Sequence, residues 1–121
     1  MHSRNLAMRD TMRESMMQIH VNTDRNIQGG ESLHERVQAM VADAVSHLAD
    51  RITRIEVHLS DENSAKGGDK DKRCVLEARI GGLQPIAVSH QAENLALAID
   101  GAAEKLERAI ESTLGRLKSG G

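Results

Sequence analysis

One long amphipathic segment constrains the fold of this chain most strongly. Residues 93–117 read ENLALAIDGAAEKLERAIESTLGRL, and apolar side chains recur in this segment at the spacing of an α-helix. The apolar positions are Leu95, Ile99, Ala102, Leu106, Ile110, Leu114 and Leu117. The spacing therefore predicts a helix with one continuous buried stripe.

The other side of this predicted helix is divided by charge. At about 100° per residue, one narrow arc, which we call the basic track, contains Lys105, Arg108, Ser112 and Arg116. The neighbouring arc, the acidic track, contains Asp100, Glu104, Glu107 and Glu111. One interpretation is a solvated helix face, in which Glu104 stabilises the helix by pairing with Arg108 four residues later. The other is that the basic track faces phosphates.

Composition limits the kinds of function. The chain has no Phe, Tyr or Trp, which excludes recognition of single-stranded nucleic acid by stacking on aromatic side chains. The formal net charge is −2, so any basic surface must be local. Cys74 is the single cysteine, which excludes an intrachain disulfide and a multi-cysteine metal site. No apolar run has the length of a membrane span, and the N-terminus lacks a signal-peptide core, so we expect a cytoplasmic protein.

The rest of the chain alternates between strand and helix patterns. Residues 1–16 are predicted to form a disordered or loosely ordered extension, and residues 119–121 a flexible tail. A first helix is predicted over residues 31–50, where Ser32 and Glu35 have the spacing of a capping box. Period-two alternation predicts strands, and these cover residues 17–22, 53–60, 73–80 and 85–90. A charged, glycine-rich loop occupies residues 61–72.

This order, β-α-β-β-β-α, predicts an α+β fold with two layers. A strand–helix–strand crossover makes its two strands parallel, and hairpins then add two antiparallel strands. Each strand has a single apolar side, so both helices must cover the same face of the four-stranded sheet.

Several short strings give the chain a resemblance to a known family. They are Met17-Gln18-Ile19, RIEVHL at residues 54–59, and NLALAID at residues 94–100 leading into KLER at residues 105–108. Together with the element order, these strings resemble the ribosome hibernation-promoting factor family, also known as ribosome-associated inhibitor A or protein Y. The resemblance covers residues 17–118.

The resemblance implies a small, cytoplasmic, non-enzymatic stress protein that regulates translation. Proteins of this family sit in the decoding channel of the small ribosomal subunit and block access of messenger and transfer RNA. Basic side chains on two parallel helices contact rRNA phosphates. Because the chain stops after its second helix, it resembles the short form, which lacks a C-terminal dimerisation domain, and a homodimer is possible but not indicated.

The resemblance also suggests which residues bind rRNA. They are Lys105, Arg108, Arg116, Lys118 and Arg36, the last being the single basic side chain of the first helix. The chain departs from the family at positions that usually carry basic residues, which here are His34, Met40, Asp43 and Ser112. The family tyrosine is replaced by Ala96 or Leu97. These losses leave open an alternative function, a divergent protein-interaction or stress module with little rRNA affinity.

Other chemistry is less well supported by the sequence. His20 and His58 would share an exposed sheet face, but two imidazoles without a third ligand make a poor metal site. Cys74 has no identifiable base to activate it, and the paired glycines do not form a phosphate-binding loop. We therefore expect no catalytic residue, cofactor, metal or small-molecule substrate.

Overall fold

A computed structural model of the chain describes residues 17–25, 27, 29–62 and 71–120, with the backbone alone described over residues 118–120. The predicted extension at residues 1–16 and most of the loop at residues 61–72 lie outside this part of the chain. The elements are β1 (Gln18–Thr23), α1 (Gly30–Ala44), a short 3₁₀ helix (Ser46–Leu48), β2 (Ile52–Asp61), β3 (Lys72–Ile80), β4 (Ile86–Ala92) and α2 (Leu95–Gly120). None of the helices described is long and apolar enough to cross a lipid bilayer.

The four strands form one sheet in the order β1-β2-β3-β4. Strand β1 pairs parallel with β2, whereas β2–β3 and β3–β4 are antiparallel. Helix α1 contacts β1, helix α2 contacts β3 and β4, and the two helices contact each other. The predicted α+β sandwich, with a four-stranded sheet and two helices on one face, is therefore confirmed.

The core lies between the sheet and the two helices. Strand alternation places the side chains of β2 and β3 as predicted, since Ile55, Val57, Cys74 and Leu76 are fully buried. From the helices, the buried side chains include Val37, Val41, Ile99, Ala102, Leu106 and Ile110. The chain has no aromatic residue, and the small side chains of Ala98 and Ala102 are fully buried where α2 packs on the sheet.

The first helix begins and ends earlier than predicted. Gly29 occupies the N-cap position with φ of 141°, and no side chain caps the helix, so the predicted capping box of Ser32 and Glu35 is wrong. A Cβ at Gly29 would lie 2.7 Å from Cβ of Leu33, so glycine lets the chain enter the helix beside that leucine. The α-helix ends at Ala44, and a 3₁₀ helix then leads towards β2.

The long helix also differs at its end. It continues to Gly120, so residues 119 and 120, predicted to belong to the tail, are helical. Leu117 was assigned to the buried stripe, but its side chain is 51% exposed. That assignment is wrong because periodicity locates the apolar side of a helix without showing how far the sheet extends beneath it.

Candidate nucleic-acid interface

Helix α2 is positioned at its start by Asn94. The Oδ1 atom of Asn94 accepts a hydrogen bond of 2.9 Å from the backbone N–H of Leu97, which satisfies one of the free N–H groups of the first turn. From this point, the buried stripe packs on β3 and β4. The basic and acidic tracks then lie on opposite flanks of the exposed side of α2.

The basic track begins with Lys105, which lies at the β4 edge of the sheet. Lys105 Nζ donates a hydrogen bond of 2.9 Å to the backbone carbonyl of Ser89 on β4. Because β4 is an edge strand, this hydrogen bond joins α2 to the outer strand of the sheet. Lys105 thus has a structural partner, although its side chain remains exposed.

Further along the track, Arg108 and Arg116 make only exposed contacts. Arg108 pairs with Glu104 at 3.2 Å, and the two side chains are 72% and 71% exposed. Arg116 donates to Oγ of Ser112 at 3.0 Å. Exposed pairs of this kind contribute about 0–1 kcal/mol, so a phosphate can displace them at little cost.

The remaining predicted rRNA-binding residues are Arg36 and Lys118. Arg36 is exposed on α1, where neighbouring exposed positions include Glu35 and Asp43. In the part of the chain that is described, the side chain of Arg36 forms no hydrogen bond or ion pair. The backbone of Lys118 continues α2, and its side chain lies outside the described atoms.

Glu107 and Glu111, the second half of the acidic track, face the 3₁₀ helix after α1, and sequence reasoning missed their partner. Nε2 of His47, in the 3₁₀ helix, lies 3.1 Å from Oε2 of Glu107 and 3.1 Å from Oε2 of Glu111. His47 precedes Glu111 by 64 residues, so no local spacing could have revealed the contact. The acidic residues at i and i+4 were the available signal that two carboxylates share one helix side.

A second contact that the sequence did not reveal lies beneath the first turns of α2. His90 follows the inward alternation of β4 after Ile86 and Val88, and its register partner is the buried Cys74. A Cβ at Gly101 would clash with the ring of His90. The glycine therefore allows the helix to approach β4, four residues before Lys105.

The uncovered sheet face holds the two histidines considered as metal ligands. In the register of β1 and β2, His20 lies opposite Glu56 and His58 lies opposite Asn22. Desolvation raises the pKa of the Glu56 carboxyl, but hydrogen bonds from Arg54 and Asn22 outweigh it, and the pKa lies below its ordinary value. Among the residues described, His20 and His58 belong to no group of three converging metal ligands.

Cys74 is buried beneath the helices, as expected for a small core residue. Burial raises the pKa of the Cys74 thiol to about 12. Its thiolate is therefore scarce near neutral pH, which argues against a nucleophilic role.

Comparison with known proteins gives a consistent result. The model of a family described as Sigma 54 modulation protein / S30EA ribosomal protein matches residues 20–118. A ribosome hibernation promotion factor from Picosynechococcus sp. is 33% identical over 85 residues, which are 70% of this chain and 43% of the relative. The matched region therefore spans less than half the length of that curated relative.

Two solved structures share the fold. A ribosomal subunit interface protein from Coxiella burnetii is 16% identical with a TM-score of 0.64, covering 82% of this chain and 99% of that one. The N-terminal domain of Protein Y from Thermus thermophilus is 22% identical with a TM-score of 0.63, covering 80% of this chain and 99% of that one. At these identities the similarity establishes the fold.

Proposed function

The chain belongs to the Sigma 54 modulation protein / S30EA ribosomal protein family, as its sequence resemblance predicted, and on this premise we propose that it is a ribosome hibernation factor. In this proposal it binds the small ribosomal subunit in the cytoplasm, occupies the decoding channel and inhibits translation without catalysing a reaction. It contacts rRNA phosphates through the basic track of α2. The observation that carries the proposal is the exposure of Lys105, Arg108 and Arg116 along one flank of that helix.

Physical chemistry supports phosphate contacts rather than base recognition. Without aromatic side chains, the protein must hold RNA through charge and shape. The exposed ion pair of Arg108 and the hydroxyl contacts of Arg116 are weak, so both guanidinium groups can reorient towards phosphate oxygens. Lys105 keeps its position at the β4 edge and presents a charge there.

Because α1 carries little positive charge, the proposed contact with rRNA is made mainly by α2. Met40 and Asp43 stand where the family usually has basic residues, and Arg36 is the single basic side chain of the helix. The number of phosphate contacts is therefore small, and binding depends mainly on α2. We expect co-sedimentation with purified small subunits to weaken with salt, with a log–log slope of about one unit for each phosphate contact.

The double variant Lys105→Glu/Arg108→Glu tests the proposed interface. Binding to small subunits should be abolished at moderate salt, because two contacts are lost and two repulsive charges are added. Stability should fall by about 1–2 kcal/mol, because the hydrogen bond of Lys105 to Ser89 and the exposed pair of Arg108 with Glu104 are lost, so binding is measured well below the melting temperature. Detection requires a tag or peptide-bond absorbance, because the chain has no Trp or Tyr.

A matched control shows whether the loss of binding depends on where the charges lie or only on the net charge of the protein. Arg51→Glu/Arg79→Glu changes the net charge equally at exposed positions away from the basic track, and it should retain binding. Unchanged binding by Lys105→Glu/Arg108→Glu would refute the proposed interface. Absence of binding by the unmodified protein even at low salt would refute the hibernation function and favour the alternative, a protein-interaction module with little rRNA affinity.

A further inference from the structure

We infer that His47, Glu107 and Glu111 form a binding site for a divalent transition-metal cation, with Zn²⁺ as the best match. The three ligand atoms, Nε2 of the histidine and one carboxylate oxygen from each glutamate, lie within 4.8 Å of one another. The site joins the 3₁₀ helix after α1 to the middle of α2. It is separate from the basic track and from the histidines of the uncovered sheet face.

The spacing of the ligand atoms suits a small tetrahedral ion. Zinc bonds to nitrogen and oxygen ligands are about 2.0–2.2 Å long, so neighbouring ligands around a tetrahedral ion are separated by about 3.3–3.6 Å. The imidazole nitrogen lies 3.1 Å from each of the two carboxylate oxygens. Side-chain movements of a few tenths of an ångström would therefore open the cluster to coordination distances.

The donor set determines the class of ion. One imidazole nitrogen and two carboxylate oxygens suit zinc and neighbouring first-row metals, whereas calcium and magnesium prefer sites made only of oxygen ligands. Three protein ligands leave the fourth position for water. The ion would also compensate two carboxylates that now share a single imidazole nitrogen, which can carry only one hydrogen.

The elements that carry the ligands are held by packing and leave the site accessible. Leu48 and Val45 are buried on either side of His47, and Leu106 and Ile110 anchor the helix turns that carry the glutamates. The three ligand side chains are 47%, 35% and 52% exposed, in the order His47, Glu107 and Glu111. A cation can therefore enter from solvent without opening the core. Arg51 lines the adjoining cleft, and its positive charge would weakly repel a bound cation.

Metal uptake by the untagged full chain tests the inference directly. Co²⁺ is a spectroscopic probe for this geometry, and we expect one equivalent to give the visible absorption of a tetrahedral complex, which one equivalent of Zn²⁺ then displaces. Zn²⁺ should also raise the melting temperature, because the ion binds only the folded arrangement. Glu107→Gln/Glu111→Gln should weaken Co²⁺ binding at least tenfold and remove the thermal shift.

Helix α1 offers a matched control. Glu31 and Glu35 are also four residues apart, and His34 lies between them. Glu31→Gln/Glu35→Gln should leave both signals unchanged. His47→Gln, measured in parallel, removes the nitrogen ligand without altering α2 and should lose the tetrahedral spectrum.

Three outcomes would overturn the inference. The first is that the unmodified chain takes up neither Co²⁺ nor Zn²⁺. The second is that Glu107→Gln/Glu111→Gln, with an unchanged melting temperature in the absence of metal, takes up as much metal as the unmodified chain. The third is that His47→Gln keeps the tetrahedral Co²⁺ spectrum. Equal loss in the α1 control would likewise indicate only adventitious binding by surface residues.

Discussion

The basic and acidic tracks lie on the same helix but meet different parts of the molecule. On the basic track, Lys105 lies at the β4 edge and donates to the carbonyl of Ser89. On the acidic track, Glu107 and Glu111 contact His47 after the end of α1. One helix therefore presents two flanks with different neighbours, a backbone carbonyl of the edge strand on one side and an imidazole on the other.

The largest expected effect comes from removing the packing that supports both tracks. Leu106 is fully buried, and Leu106→Ala should lower the free energy of unfolding by about 2–5 kcal/mol. Both tracks would then lose function together, in proportion to the unfolded fraction. Urea denaturation followed by far-UV circular dichroism measures the loss.

Leu117→Ala is the matched control for this change. Leu117 is 51% exposed, and the cost should be less than about 1 kcal/mol. Equal destabilisation by the two substitutions would show that the end of α2 is packed as tightly as its middle, contrary to the structure.

A second substitution tests whether the flank of the basic track rests against β4. A side chain at Gly101 would clash with the ring of His90, at a cost of about 1–3 kcal/mol, while alanine improves helix propensity by about 1 kcal/mol. Gly101→Ala should therefore destabilise the protein by about 1 kcal/mol. In a His90→Ala background the same substitution should stabilise it, and a double-mutant cycle that shows no change of sign would contradict this contact.

A third, smaller effect concerns the boundary between the tracks. Glu104 pairs with Arg108, so Glu104→Gln should release the guanidinium group and tighten binding to small subunits by about twofold to fivefold, the equivalent of roughly 0.5–1 kcal/mol. Stability should fall by only a few tenths of a kcal/mol. Glu31→Gln on α1 removes one charge elsewhere, and an equal gain from that control would mean that net charge, not the pair, limits binding.

The smallest expected effect concerns the reactivity of Cys74, which should stay low in the folded protein. The thiol is buried, and burial raises its pKa from 9.0 to about 12, so the folded protein should resist a thiol reagent at pH 8. The same shift favours the folded state below about pH 9, and this contribution is lost as the pH rises towards 12. Charge variants in either track should leave the labelling rate unchanged, whereas Leu106→Ala should increase it; faster labelling of a charge variant would reveal unfolding.

Local periodicity was sufficient to predict most of the fold. Alternation located all four strands and inward side chains such as Ile55 and Leu76, and helical spacing located α2 and its buried Ile99, Leu106 and Ile110. Errors fell at helix ends, where Gly29 rather than Ser32 is the N-cap of α1 and Leu117 extends into solvent. Helix ends depend on what lies next to them in space, and the pattern of one segment carries no such information.

The sequence by itself determined the order of the elements, the apolar side of each one and the division of charge on α2, because these features depend on spacing within a single segment. The tertiary structure alone decided which neighbours the charges meet. His47 reaches Glu111 across 64 residues, and Lys105 reaches a backbone carbonyl of β4. Both contacts depend on the position of α2 on the sheet beside α1, and packing across the whole core determines that position.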